Sequence, residues 1–515
     1  MAADLLLAHD LGTTGNKATL FACDGRVVAS VFAPYETDYP RPQWAEQNPA
    51  NWEKALFDST RKLLAEAAGA GYTAADVAVI SFSGHMNGAL LVDAAGRPLR
   101  PAIIWADQRA TAQAESIADR VGADAVYRLT GNRISPAYTA AKLLWLKTHE
   151  PEVYGRGRWL LQAKDYAAFL FSGVIATDYS DASLTLLLDL EQRRWADGLL
   201  ERLELNPALF PPLYPSAQVI GEVTRAAAAA TGLRPGTPVV IGGGDGACAT
   251  VGAGAVAAGD AYNYIGSSSW VALTTAAPVL DPVRRTFNLI HLDPALNVAL
   301  GTMQTAGGAF DWLERLLRAD GDPTPLYEAL DRAAERVPPG GHGLLFLPYL
   351  LGERTPHWNP HARGAFIGLT MPDDRGTLAR AVLEGVAFNL GLILDILRGH
   401  GPAADAVRVE RIRLIGGGSR SAVWRQILAD VYGLPVETVA LPAQATALGA
   451  AIAGGVGVGL YPGYEVARQL APAGAVHHPD PATQARYAAL RELFAASYTA
   501  LEAIFARLAA LPEMT

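Results

Sequence analysis

The sequence predicts an α/β protein made of two related halves, and three observations carry that expectation. "LLLAHDLGTTGNKATLFACDGRVVAS" and "GDAYNYIGSSSWVALTTAAPV" share one rhythm: apolar strand, Gly/Ser/Thr turn, second strand. "TPVVIGGGDGACATVGAGA" and "VERIRLIGGGSRSAVWRQILADVYG" share another: strand, glycine turn, helix. A chain of 515 residues is long enough for two domains or more. The boundary is expected near residues 251–260, giving halves 1–253 and 254–515.

In chain order, the opening segment reads as strand, glycine turn, strand, a second turn at Asp24 and Gly25, and strand. Residues 51–69 have helical periodicity, and "DVAVISFSG" is a buried strand ending in small residues. "GALLVDAAGRPL" is a hairpin arm turning near Gly96. Helices are expected at 109–121 and 140–149, and "EVYGRGRWLLQAKDYAAFLFSG" reads as strand then helix. Prolines at 207–215 mark a loop. After the second hairpin and the second strand–turn–helix unit, "ARYAALRELFAASYTALEAIFARLAAL" is helical and is expected to pack back on the body.

Composition narrows the function classes. Half of the residues are hydrophobic, which suits a packed core and excludes a disordered chain. The net charge of −9, with no Lys/Arg cluster, argues against nucleic acid. Cys23 and Cys248 have no metal spacing and read as buried thiols. The N-terminus lacks the charged and apolar regions of a signal peptide, and no stretch of about 18 uninterrupted apolar residues appears. A cytoplasmic protein without a membrane partner is the expectation.

Several segments could carry chemistry. In "HDLGTTGNKATL", Asp10 ends a strand, Thr13 and Thr14 lie between glycines, and Lys17 follows. Backbone N–H groups and hydroxyls in such a turn can cradle phosphate, and Asp10 could hold Mg²⁺ through water. An ordinary hairpin turn competes with that reading. "YIGSSSW" repeats the pattern at Gly266, Ser267 and Ser268, so the pair suggests a nucleotide clamped between two related halves. Gly416 to Gly418 precede a helix, which suits a nucleotide or a plain turn equally. Gly242, Gly244 and Ala247 fit the loose dinucleotide pattern, but no acidic ribose partner follows about 20 residues on. No Walker loop exists. Asp245 then stands as a candidate acid or base at a strand's C-terminal end, with an N-cap as the competing reading. His85, Met86 and Asn87 follow one buried strand; Trp105, Asp107 and Arg109 follow another. Indole, carboxylate and amide together suit a carbohydrate, although each residue alone could be structural.

The order "DLGTTGNK", "GHMNG", "IIWADQR", "YTAAKLLWLK", "GGGDGA", "YIGSSSW", "LPYLLGERTPHWNPHARGAFIGL", "LARAVLEGVAFNL" and "LIGGGSRSAVWRQILAD" resembles the FGGY carbohydrate kinases, and within them the xylulokinase branch. The resemblance runs from Leu5 to Arg507. It implies two actin-like, ribonuclease H-like ATPase domains with the active site in the cleft between them. The first would bind the sugar and carry the base; the second would bind the nucleotide. It implies transfer of phosphate from ATP, with Mg²⁺, to a hydroxyl of D-xylulose or a related ketose or polyol. Ribulose, fuculose, gluconate, erythritol and autoinducer-type substrates are alternatives.

By the resemblance, Asp245 is the base and Asp10 the acid near the metal. Thr13, Thr14 and Lys17 form the first phosphate loop, and Gly266, Ser267 and Ser268 the second. Gly307, Asp311, Gly417 and Ser421 fall at the nucleotide; His85, Met86, Asn87, Trp105 and Asp107 fall at the sugar. The branch usually reads Gln-Met-His-Gly where this chain has His85-Met86-Asn87-Gly88, and Asn where it has Gly246. Ala137 and Thr377 also depart from the family signatures. A homodimer stays open. A NAD-dependent dehydrogenase built on Gly242, a silent sugar sensor and an actin-like ATPase without a sugar are the remote alternatives.

Overall fold

A computed structural model describes residues 4–318, 326–399 and 407–511. The first apolar segment, Leu5–Leu11 (β1), is buried on both faces and is therefore a central strand. It pairs antiparallel with Gly15–Ala22 (β2), which pairs antiparallel with Val27–Pro34 (β3). On its other side β1 runs parallel to Val77–Gly84 (β4). Val219–Glu222 (β5), Pro238–Val240 (β6) and the two-residue Gly243–Gly244 (β7) complete the sheet, in the order β5-β6-β4-β1-β2-β3 with β7 parallel to β4.

The second sheet repeats this plan. Ala261–Ile265 (β8) pairs antiparallel with Ser269–Thr275 (β9) and parallel with Ile412–Ile415. With Phe287–Ile290 as β10, Asn297–Met303 as β11, Ile412–Ile415 as β12, Val436–Val439 as β13 and Ala473–His477 as β14, the order is β10-β11-β9-β8-β12-β13-β14. Each sheet is an antiparallel meander on one side of a central strand and, on the other, parallel strands closed by an antiparallel edge strand, β5 in the first sheet and β14 in the second. This two-domain α/β fold is the actin-like architecture that the resemblance implied.

Helices cover the sheets where the apolar spacing demands it. Pro49–Gly69 starts behind Asn48, whose side chain accepts from Ala50 N, and buries Trp52, Leu56 and Leu63 on one face. Pro481–Ala509 buries Tyr487, Phe494, Tyr498 and Phe505, a single stripe along one side, and packs them into the core of the second sheet. Arg375–Gly399 is long and apolar enough to cross a membrane, but 89% of its most apolar window is buried inside the protein. Its Arg380 and Glu384 pair one turn apart at 2.6 Å.

Chain order and packing do not divide at the same point. The helix Ala445–Gly457 belongs to the second half, yet it packs on β1 and β4 and against the helix Asp245–Gly252. There the two backbones touch. A Cβ on Gly252 would lie 1.7 Å from the Ala445 carbonyl oxygen, and one on Gly449 would lie 1.9 Å from that of Cys248. Only glycine permits this approach.

A helix-interior Gly→Ala change ordinarily stabilises by about 0.5–1 kcal/mol. Here we expect the opposite: Gly449→Ala should cost at least about 2 kcal/mol through overpacking, seen as a lowered melting temperature. A melting temperature at or above wild type would show that the helices can part.

Candidate active site

The turn at Asp245 is shaped by what glycine allows. After β6, Gly242 takes φ +70° and lies so close to β4 that a Cβ would meet the Phe82 carbonyl oxygen at 1.8 Å. The chain then pairs with β4 through Gly243 and Gly244 and enters the helix at Asp245. Gly244 is the N-cap; Asp245 is the first helical residue, and its Oδ1 accepts from Gly246 N at 2.7 Å. The competing N-cap reading therefore belongs to its neighbour.

Asp10 lies on the same sheet edge. It is in register with Ser83, which is in register with Gly243. Two strand spacings separate Asp10 from the Asp245 turn, about 10 Å of backbone. Burial first, and the charge of Asp10 second, push the Asp245 carboxyl up to about 7. Burial also raises Asp10, against the attraction of Lys17.

The two hydroxyl-rich turns are braced from outside. Gly12 N bonds Gly15 O at 3.0 Å, and Gln47 Nε2 donates to the Thr13 carbonyl at 2.7 Å. Thr14 is exposed. In the second half Ser267 and Ser268 are exposed, and three backbone bonds stitch their turn to the helix Gly307–Leu317: Ala306 N to Ser267 O, Gly307 N to Gly266 O and Gly308 N to Ser267 O, at 2.8–3.0 Å. Asp311 on that helix accepts from the Tyr327 hydroxyl at 2.8 Å. Space around Gly417 is open. Ser421 caps the helix Ala422–Tyr432, accepting from Trp424 N and donating to Asp331 at 2.6 Å.

At the expected sugar wall, both His85 ring nitrogens are buried without a hydrogen-bond partner among the described residues. Burial, and then Lys142, lower its pKa to about 4, so the ring is neutral at pH 7. Asn87 holds φ +64° and its Oδ1 is likewise unpartnered. Met86 lies against the turn: a Cβ on Gly244 would meet its sulfur at 2.5 Å. Buried polar atoms that are left unpaired cost free energy, which makes His85 and Asn87 candidates for polar contact with a ligand.

Three expected residues also have partners within the protein. The Asp107 carboxylate is fully buried, forked by Arg109 at 2.7–3.0 Å, and accepts from Ala45 N. These donors hold the carboxylate in place and brace the wall. Lys17 Nζ donates to the Ala443 carbonyl of the other half at 2.9 Å and ties the halves together. The Trp105 indole donates to Thr13 Oγ1 at 2.9 Å, linking the sugar wall to the first turn.

One residue was not singled out from sequence. Lys142, within "YTAAKLLWLK", is buried and donates to the carbonyls of Asn87, Ile104 and Ala137 at 2.6–2.8 Å. It gathers the loops carrying Asn87 and Trp105 at one point. Burial lowers its pKa to about 7. Its motif was visible; its three partners, up to 55 residues away, were not.

The donor set suits a nucleotide with a hard cation. Thr14, Ser267 and Ser268 offer exposed hydroxyls, and two mutually repelling carboxylates suit an ion that keeps much of its water. No cluster of three or more His, Cys, Asp or Glu that could hold a metal occurs among the described residues.

The N-terminal domain profile of the FGGY carbohydrate kinases matches residues 5–252, and the C-terminal domain profile matches residues 261–458. The chain belongs to the FGGY family of carbohydrate kinases. It is 36% identical over 433 residues to the xylulose kinase of Escherichia coli, covering 84% of this chain and 86% of that protein. It is 30% identical over 500 residues to the gluconokinase of Bacillus subtilis, covering 95% and 94%. The crystal structure of xylulose kinase from Rhodospirillum rubrum superposes with a TM-score of 0.88 at 32% identity, covering 97% and 99%. The protein is thus an FGGY carbohydrate kinase, similar in sequence and structure to xylulose kinases.

The raised carboxyl predicts a stability signature. A folded pKa above the unfolded value stabilises below the unfolded value, and that gain is lost as pH rises through about 7. In this FGGY kinase without ligands, Asp245→Asn is expected to raise the melting temperature by a few degrees at pH 8 and to leave it unchanged near pH 4. An equal shift at both pH values would contradict the electrostatic origin.

Proposed function

We propose that this carbohydrate kinase transfers the γ-phosphoryl group of ATP to a hydroxyl of D-xylulose or a related ketose or polyol, in the cytoplasm, with Asp245 as general base. The observation that carries the reading is the Asp245 carboxylate at the mouth of a helix, near Asp10, with its pKa pushed up to about 7. A base poised near the working pH can take a proton yet exists mostly in the active form above it. Oδ1 is engaged by Gly246 N, which leaves Oδ2 for the proton of the attacking hydroxyl. Mg-ATP, when bound, supplies the phosphoryl group and the cationic charge that offsets its oxygens. Asp10 would hold the ion through water. Thr14, Ser267, Ser268 and the backbone N–H groups of both turns would receive the phosphates. His85 and Asn87 would orient the sugar, and Met86 with Trp105 would exclude water beside it.

A carboxylated acceptor is the second reading. The similarity to a gluconokinase favours it. A coupled ATP-consumption assay over D-xylulose, other ketoses, polyols and gluconate separates the two. No turnover on any of them would overturn the kinase reading.

Asp245→Asn is expected to lower kcat by at least about a thousandfold while ADP still binds, read by calorimetry. Near-wild-type turnover would remove Asp245 from the role. In the wild type, kcat/KM should fall about tenfold per pH unit below pH 7. Gly246 has ordinary φ, and a Cβ there would sit 3.4 Å from Leu289 Cδ2, so Gly246→Asn should fold. We expect it to alter KM for the sugar and not for ATP; equal changes in both would place that side chain outside the sugar site.

A further inference from the structure

Behind the Asp245 turn lies a buried ionic cluster that the proposed chemistry does not use. Lys164 Nζ sits 2.5 Å from Asp165 Oδ1, 2.9 Å from Asp178 Oδ1 and 3.6 Å from Asp181 Oδ2, and all four side chains are at most 1% exposed. Burial works against the charge on Lys164, but the three carboxylates outweigh it and raise its pKa. Asp178 is the hub. Its Oδ1 takes Lys164 and, at 3.2 Å, the backbone N of Asp181; its Oδ2 accepts from Ser180 N at 2.9 Å, Ser180 Oγ at 2.5 Å and Ser216 Oγ at 2.7 Å.

The cluster reaches the turn at one side chain. Ser180 Oγ donates to Asp178 and accepts from Gly244 N at 3.0 Å, the residue directly before Asp245. The approach is close: a Cβ on Gly243 would meet that oxygen at 2.8 Å. Ser216 touches the turn only through its backbone, accepting from Gly242 N at 3.0 Å. A buried ion cluster is a poor source of stability, because desolvation consumes most of the attraction. Its value here is directional: a fixed charge orients Asp178, which orients Ser180, which fixes the peptide from which Asp245 projects.

We propose that Lys164, Asp178 and Ser180 form a positioning relay for phosphoryl transfer, with Ser180 as the positioning residue that holds the Asp245 turn in register. The proposal rests on the reading of Asp245 as the base. Catalysis of this kind depends on placement within a fraction of an ångström, so loss of the last link should lower the rate without weakening ground-state binding.

The test compares two serines that donate to the same carboxylate oxygen. Ser180→Ala removes the link to Gly244, whereas Ser216→Ala removes a comparable buried hydrogen bond and leaves the turn's own contacts in place. Ser180→Ala is expected to lower kcat on the order of tenfold, with KM for ATP and sugar within about twofold of wild type. Ser216→Ala is expected to keep kcat within about twofold while losing a similar amount of melting temperature. Equal kcat values for Ser180→Ala and wild type, or equal losses in both variants, would overturn the relay. Should Ser180→Ala not fold, Ser180→Cys keeps the shape with a weak sulfur acceptor; a wild-type kcat in that variant would likewise overturn it. A wild type that phosphorylates no sugar would refute the underlying reading instead, before any variant is compared.

Discussion

Two helices from opposite halves of the chain meet backbone to backbone directly behind the Asp245 turn, and the site depends on that contact. Gly252 and Gly449 bring the helices Asp245–Gly252 and Ala445–Gly457 closer than any side chain would allow. The first of these helices begins with Asp245 itself. The second lies beneath β1 and β4, the strands that carry Asp10 and His85 to the edge of the first sheet. One close contact therefore fixes the proposed base relative to the proposed metal ligand and to both halves at once.

The architecture was legible because its signals are local. Each hairpin has an apolar strand on either side of a Gly/Ser/Thr turn, and each glycine run follows a strand and precedes a helix. The structure puts β1–β2 and β8–β9 where that rhythm placed them. What could not be read is contact at long range. Asp107 accepts from Ala45, 62 residues away, as well as from Arg109. The Lys17 amine finds a carbonyl 426 residues on. The helix Ala445–Gly457 follows a boundary that sequence rhythm set near 251–260 and still packs on the first sheet. Each contact gives a charged or apolar group a partner whose proximity only the fold creates.

The electrostatics of the site work against the stability of the fold. Asp10 and Asp245 are both held above their ordinary range by burial, and the charge of Asp10 further resists the ionisation of Asp245. Such an arrangement is costly at rest and useful in chemistry, since it leaves one carboxyl ready to take a proton and provides a place where a cation lowers the energy of both. The neutral, unpartnered His85 adds to the same tension. A site incomplete in its own hydrogen bonds gains most from a ligand that completes them.

The glycines at Gly242, Gly252 and Gly449 are clearance that the fold cannot give up. Others carry no such duty. Gly155 and Gly198 lie in helices with ordinary backbone angles and nothing within 4 Å of where a Cβ would stand. Each adds conformational freedom to the unfolded chain, at about 0.5–1 kcal/mol apiece relative to alanine. Thermal robustness can thus be raised at one set of glycines without touching the other set, on which the packing behind the site depends.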